Sequence, residues 1–219
     1  MKKEFVVIGL GRFGGSIVSE LIELGANVMA IDITPSKVDE YADIATQAVV
    51  ADTTDESALL SLGIRNFQHV IVAIGENIQA SILTTLILKE IGVPKLTVKA
   101  QNEYHKKLLE KLGADHIVRP ERDMGIRVAN NVLSNNILDY LELSEEHSIA
   151  EIIVDGKVAG RTIIELNIRA KYGINIVAIK RQESIMISPQ ADEEILEGDV
   201  LIVIGSDSDI HNFEKKLFH

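Results

Sequence analysis

Phe5-Val6-Val7-Ile8-Gly9-Leu10-Gly11-Arg12-Phe13-Gly14 is the stretch that decides the architecture. An apolar, mostly β-branched run reads as a strand covered on both faces. The GxGxxG that follows turns the chain from that strand into a helix. Each glycine has its own reason: Gly9 for a tight turn, Gly11 for the approach of a phosphate to the backbone, Gly14 for close packing of helix on strand. The helix then begins with N–H groups that have no partner within it and with the positive end of its dipole, which together favour an anion.

Outward from this unit the pattern repeats. Strands are expected at Glu4–Ile8, Asn27–Asp32, Ala48–Ala51, His69–Ala73, Lys95–Lys99 and His116–Val118. Helices are expected between them at Gly14–Leu24, Pro35–Tyr41, Glu56–Leu62, Ile78–Ile91 and Asn102–Leu112, several stopped by a glycine such as Gly25, Gly63, Gly92 or Gly113. Alternation of buried strands with helices is the mark of a Rossmann-like, doubly wound parallel α/β sheet. Pro120 closes the last strand, and a long helix is expected from Arg122 to about Leu138, its apolar residues spread widely enough to seek a surface beyond its own domain. After Glu142 the pattern becomes that of a small α+β domain, with strands at Ser148–Val154, Ile174–Lys180, Ser184–Ser188 and Val200–Ile204 and short helices at Thr162–Leu166 and Ser208–Leu217. The expected division is therefore 1–121, 122–141 and 142–219.

The 219 residues carry 22 Lys+Arg against 33 Asp+Glu. An acidic chain without a basic tract lacks the phosphate-neutralising charge of a duplex nucleic-acid binder and the polybasic anchor of a membrane-surface protein. The start, Met1-Lys2-Lys3 before Phe5-Val6-Val7-Ile8, imitates a signal peptide, but the apolar run stops at the glycine loop and reads as a strand. No apolar stretch approaches the roughly 20 residues that span a bilayer, so direct membrane insertion is not expected. Cysteine is absent, which excludes disulfides, thiolate catalysis and Cys-based zinc sites and suits a cytosolic protein.

Asp32, at the end of the second strand, is placed to accept the ribose hydroxyls of a nucleotide and to repel a 2′-phosphate; the alternative is a solvated helix cap. Asp52 and Thr53 follow the third strand, where they border an adenine edge or cap the next helix. Arg12 is either a solvated side chain or a guanidinium aimed at a terminal phosphate, in its own site or across a dimer. Glu121 is either a cap or a ligand to a divalent cation. The six histidines form no HExxH or comparable constellation, and neither a nucleophile elbow nor a Walker lysine occurs. No catalytic residue is assigned, and a sensor rather than an enzyme is expected.

Three blocks together resemble a known family: the glycine stretch through Gly15-Ser16, then Val72-Ala73-Ile74-Gly75, then Ile78-Gln79-Ala80-Ser81. They look like the RCK (KTN) regulators of bacterial potassium uptake, the KtrA/KtrC-like gating subunits of Ktr-type transporters. The resemblance covers the whole chain. It implies an RCK N-terminal nucleotide domain, a crossover and dimerisation helix, and an RCK C-terminal ligand domain. It implies that ATP and ADP compete for Gly9, Gly11, Arg12, Phe13, Gly14, Asp32, Asp52, Thr53, Ile74, Gly75 and Lys99, with Arg12 reading the terminal phosphate and Glu121 helping to hold a divalent cation, Mg or Ca. It implies cyclic di-AMP at Ile163, Ile164, Arg169, Ala170, Asn175 and Pro189, on a dimer interface. It further implies homodimers assembled into an octameric cytoplasmic ring, peripheral to the inner face of the membrane beneath a potassium-translocating subunit. From the residues alone three other readings stay open: an NAD(H)-responsive regulator, a small NAD-dependent oxidoreductase, and a dimerisation module with a degenerate site.

Overall fold

β1 (Glu4–Ile8) runs into α1 (Arg12–Glu23), and the same strand-to-helix step recurs through β2 (Asn27–Asp32), α2 (Pro35–Asp39), β3 (Gln47–Val50), α3 (Glu56–Ser61), β4 (His69–Val72), α4 (Ile78–Glu90), β5 (Leu96–Lys99), α5 (Glu103–Lys111) and β6 (His116–Val118). The structure, a computed structural model, describes residues 3–133, 136–144 and 146–218. Met1 and Lys2 of the charged start, Ser134 and Asn135 within the expected long helix, Glu145 and His219 lie outside the described residues. The chain divides into two units, Met1–Glu121 and Arg122–His219.

In the first unit six strands pair in the order β3-β2-β1-β4-β5-β6, every pair parallel. Alternate residues of each strand face opposite sides. Val7, Val28, Ala30 and Ile71 point to one side, where Val18 of α1 and Val38 of α2 cover them. Val6, Ile8, Met29, Ile31, Val70 and Val72 point to the other, beneath Leu59 of α3, Ile87 and Leu88 of α4 and Leu109 of α5. Burial on both faces is why the strands read as unbroken apolar runs. The strand order reverses between β1 and β4, and open α/β sheets bind ligands beyond the strand ends at such a point.

The second unit contains most of α6 (Pro120–Leu133), then β7 (Ile137–Glu142), β8 (His147–Ile153), β9 (Arg161–Thr162), α7 (Ile163–Leu166), α8 (Ile168–Tyr172), β10 (Asn175–Arg181), β11 (Ser184–Ile187), β12 (Glu194–Ile195), β13 (Val200–Ser206) and α9 (Asp207–Phe218). Five strands form an antiparallel sheet in the order β11-β10-β13-β8-β7, and β9 pairs with β12. Ala150, Ile152, Ile179, Leu201 and Val203 fill its core with Ile210 and Phe213 of α9.

One expectation is corrected here. The helix does not continue to Leu138: its described residues run to Leu133, and Ile137–Glu142 is an edge strand paired antiparallel with β8, with an irregularity between Ile137 and Asp139. Asn136 locks the change, its carbonyl accepting from Ile153 N–H at 2.8 Å and its side-chain amide donating back to Ile153 O at 3.2 Å. The apolar residues Ile137 and Leu138 prolong a helical spacing only if the partner strand is ignored. β9, β12 and α8 were likewise not anticipated; each is two to five residues long. α6 itself buries no residue, and Met124, Val128 and Val132 leave an apolar stripe at helical spacing exposed.

Candidate functional site

The strands of the first unit end around a cleft of about 490 Å³. Ile8 and Gly9 line it from the end of β1, Asp32 from β2, Asp52 and Thr53 from behind β3, Ile74 and Gly75 from behind β4, Lys99 from β5 and Glu121 from beyond β6. Gly11, Arg12 and Phe13 close one side. Ten of the eleven residues assigned to the N-terminal site thus meet in one cleft together with Glu121; Gly14 lies underneath it, buried.

The glycine loop shows why glycine stands there. Gly9 has φ +94°, and a side chain on it would also press within 3.0 Å of the Ala73–Ile74 backbone. A Cβ on Gly14 would sit 1.9 Å from the Gly9 carbonyl oxygen. Gly11 is different: beyond its own chain neighbours, nothing lies within 4 Å of where its Cβ would stand. Gly11 is also the N-cap of α1 and supplies no side-chain acceptor, and no acidic residue occupies the first turn. The leading N–H groups of α1, beside the cleft-lining Gly11, Arg12 and Phe13, therefore have no side-chain cap, an arrangement that favours an anion.

Asp32 braces this loop. Its Oδ2 accepts from Leu10 N–H at 2.7 Å and its Oδ1 from Thr34 N–H at 2.8 Å, and Lys37 Nζ stands 3.9 Å from Oδ2. Each carboxylate oxygen has a second acceptor position, so the brace leaves capacity for a ligand hydroxyl. Asp52 is no helix cap. Its Oδ1 accepts from both the N–H and the hydroxyl of Thr54, which hold its carboxyl below the ordinary value, while Asp55 caps α3 through Ser57 N–H. Thr53 is buried and its hydroxyl bonds that of Thr84 on α4 at 2.9 Å, tying the site to that helix.

Two cations line the cleft apart from Lys37. Arg12 is exposed at the start of α1. Lys99 is 8% exposed at the end of β5, with its ammonium 5.6 Å from the Phe13 ring centroid and bonded to Glu121 Oε1. That bond holds the Glu121 carboxyl below its usual range, against partial burial and with help from the Arg12 charge. Thr34, Lys37, Glu76, Asn77 and Ala80 also line the cleft and were not anticipated. Thr34 stands two residues beyond Asp32 and Glu76 directly follows Gly75, so both were within reach of the sequence. Lys37 was not, because its place depends on α2 folding back over β2. None of the cleft-lining residues is a histidine: His69 Nε2 pairs with Thr97 Oγ1 on the sheet, and His105 is buried in α5.

The second-unit residues lie on neighbouring segments. Ile163 and Ile164 are on α7, Arg169 and Ala170 on α8, Asn175 opens β10 and Pro189 follows β11. Ile164 N–H donates to Ala191 O and Ile163 N–H to Glu193 O, so the chain beyond Pro189 runs alongside α7. Ile164, Arg169, Ala170 and Asn175 are exposed, Ile163 and Pro189 partly buried.

Comparison with known proteins places this arrangement. The TrkA-N domain family matches residues 5–120 and the TrkA-C domain family residues 148–217. Ktr system potassium uptake protein C of Bacillus subtilis (strain 168) is 66% identical over 219 residues, 100% of this chain and 99% of that protein. Ktr system potassium uptake protein A of the same organism is 54% identical over 214 residues, 98% of this chain and 96% of that protein. Among solved structures the RCK domain of GsuK superposes with a TM-score of 0.70 at 18% identity, over 100% of this chain and 48% of that chain, a likeness of fold. The chain spans about half the length of that structure.

Proposed function

The chain belongs to the TrkA-N/TrkA-C family that includes the Ktr system potassium uptake proteins, and from that membership we propose that it is the nucleotide-sensing regulatory subunit of a Ktr-type potassium uptake system. The observation that carries the reading is the polarity of the cleft. An uncapped helix N-terminus, Arg12 and Lys99 line it together with the braced carboxylate of Asp32. A nucleoside polyphosphate carries both matching groups, an anionic tail and a ribose diol.

In this reading ATP and ADP share the cleft, and Arg12 takes the terminal phosphate, from its own subunit or across a dimer. Glu121 contributes one carboxylate to a divalent cation on the phosphates. A ligand moves a two-state equilibrium only by its differential affinity for the states, so the γ-phosphate supplies the difference between an ATP-bound and an ADP-bound assembly. Homodimers built into an octameric ring, with α6 and its apolar stripe as the crossover and dimerisation element, carry that difference to a membrane potassium-translocating subunit. The protein works at the cytoplasmic face of the membrane through that partner. No described helix is long and apolar enough to cross a membrane. Cyclic di-AMP binds the second unit, with Arg169 for phosphate, Asn175 for a base edge and Ile163, Ile164, Ala170 and Pro189 against the adenines.

Calorimetric titration of the full chain with ATP, ADP, NADH and cyclic di-AMP tests the reading. ATP and ADP are expected to bind far more tightly than NADH. Arg12→Ala is expected to weaken ATP by roughly 5- to 30-fold, about 1–2 kcal/mol or the worth of a single partly exposed charge-assisted hydrogen bond, with a smaller effect on ADP. Preference for NADH, or equal losses for ATP and ADP, sinks the ATP/ADP assignment. Cyclic di-AMP that binds wild type and Arg169→Ala equally sinks the second site.

A further inference from the structure

β7 and β8 set two carboxylates side by side. Asp139 and Glu151 are direct partners in the register of these strands, so their side chains rise from the same face with Cβ atoms about 5 Å apart. Like charges placed directly opposite weaken the pairing, and here they weaken the hold of an edge strand. α6 supplies the remedy: Arg127 grips both oxygens of Asp139 through Nε and a terminal nitrogen. The hydrogen bonds and charge of Asp139 favour the charged guanidinium, and the charge of Glu151 adds to them. Asp139 is itself tied to the strand, because its Oδ1 also accepts from Tyr140 N–H at 2.7 Å.

α6 buries none of its described residues, so it has no hydrophobic grip on the sheet, and the polar hold of Arg127 counts for more. The first turn of the same helix lines the nucleotide cleft through Glu121. Beyond Asp139 the connection enters the core. Tyr140 is 5% exposed with its phenol hydrogen-bonded to Asp207 and Ser148, and Ser148 Oγ donates to Asp207 Oδ1 at 2.7 Å. Asp207 opens α9, whose Phe213 ring meets that of Tyr172 on α8 edge-on, with centroids 5.4 Å apart. α8 also carries Arg169. Resting on the ligand reading above, we propose that Asp139 and Glu151 form a seat for Arg127, and that this seat couples the nucleotide cleft to the ligand site of the second unit. A shift of α6 imposed at the cleft pulls Arg127 against its seat, and β7 and α9 carry the displacement toward α8. Linkage makes the effect reciprocal, so a ligand on the second unit biases the cleft by the same factor.

Two measurements on the full chain test this. In calorimetry, ATP affinity is taken with and without saturating cyclic di-AMP, and cyclic di-AMP affinity with and without saturating ATP. Wild type is expected to show one coupling factor of about 5-fold or more, equal in both orders. Arg127→Met is expected to bring that factor near one while each ligand alone binds close to its wild-type affinity. The swap of Arg127→Asp with Asp139→Arg keeps the ion pair and is expected to restore most of the coupling. Melting provides the ligand-free half. Arg127→Met is expected to lower the melting temperature by about 2–6 °C, the scale of one partly exposed pair, and by clearly less in a Glu151→Gln background, where the repulsion is gone. Equal losses in both backgrounds overturn the seat. Full coupling in Arg127→Met, or a folded swap variant that restores none, overturns the transmission. If wild type fails to bind either ligand, the reading for that ligand falls and the coupling with it. If wild type binds both independently, the ligand reading stands and the coupling alone falls.

Discussion

Gly14→Ala should lose measurable ATP binding and melt the first unit well below wild type. The added Cβ stands 1.9 Å from the Gly9 carbonyl oxygen and 3.0 Å from Ala73 Cβ, and a backbone oxygen cannot rotate out of the way. Either α1 lifts from β1 or the loop shifts, and both displace the N–H groups that begin α1 beside the cleft. Overpacking a close contact costs about 1–3 kcal/mol, and with a backbone partner the upper end is expected. Gly11→Ala is the control, because nothing beyond its chain neighbours lies within 4 Å of its Cβ position and its backbone has an ordinary φ of −72°. It should melt within about 0.5 kcal/mol of wild type yet bind ATP more weakly, since the methyl group occupies only the space a phosphate would use. Thermal melting followed by circular dichroism, paired with calorimetry, separates the two. Equal stability of Gly14→Ala and wild type would refute the packing argument, and unchanged affinity in Gly11→Ala would remove the phosphate from that face.

Arg181→Met is expected to destabilise the second unit by about 3–5 kcal/mol, the usual cost of leaving a buried charge unpaired. Asp199 is 1% exposed and accepts from Arg181 Nε at 2.9 Å, from its terminal nitrogen at 2.8 Å and from Leu196 N–H at 2.9 Å. The same guanidinium reaches Glu193 at 3.2 Å and Glu194 O at 2.9 Å, so one side chain joins β10, β12 and the turn before β13. Burial works to raise the Asp199 carboxyl, and the Arg181 and Leu196 hydrogen bonds overcome it, leaving the value below the ordinary 3.8. A depressed folded value stabilises the fold fully above the unfolded value and loses that contribution as pH falls through the folded one. The gap between wild type and Arg181→Met should therefore be full at neutral pH and narrow below about pH 4. A gap that widens in acid, or is absent at pH 7, contradicts the pairing.

Much of the first unit was legible because its signals are local. β1, the glycine loop and Asp32 are read from spacing, and the parallel sheet follows from apolar runs too continuous for a sheet wet on one side. Asp32, Asp52 and Thr53 were legible as candidates for a related reason, whereas Ile74, Gly75 and Lys99 came from the family resemblance. In this topology a ligand lies beyond the carboxyl ends of the strands, so the residue just past each strand is a candidate before any coordinates exist. The second unit was less legible: β7, β9 and β12 are edge or two-residue strands whose pairing partners lie at other places in the chain. A helix and an edge strand both read as intermittent apolar residues until the partner is known, which is how Ile137 and Leu138 were assigned to α6.

The amino-acid sequence by itself determined the glycine loop, the six parallel strands, the carboxylate at the end of β2 and the family, because each depends on short-range spacing or on whole blocks of identity. Tertiary structure alone decided three other things. It turned Asp32 into a brace for Leu10 N–H, brought Lys37 to the same carboxylate, and paired Lys99 with Glu121, 22 residues apart. The physical reason is common to all three. Hydrogen bonds and ion pairs between strand ends are set by how neighbouring strands align, and no periodicity within one segment encodes that alignment.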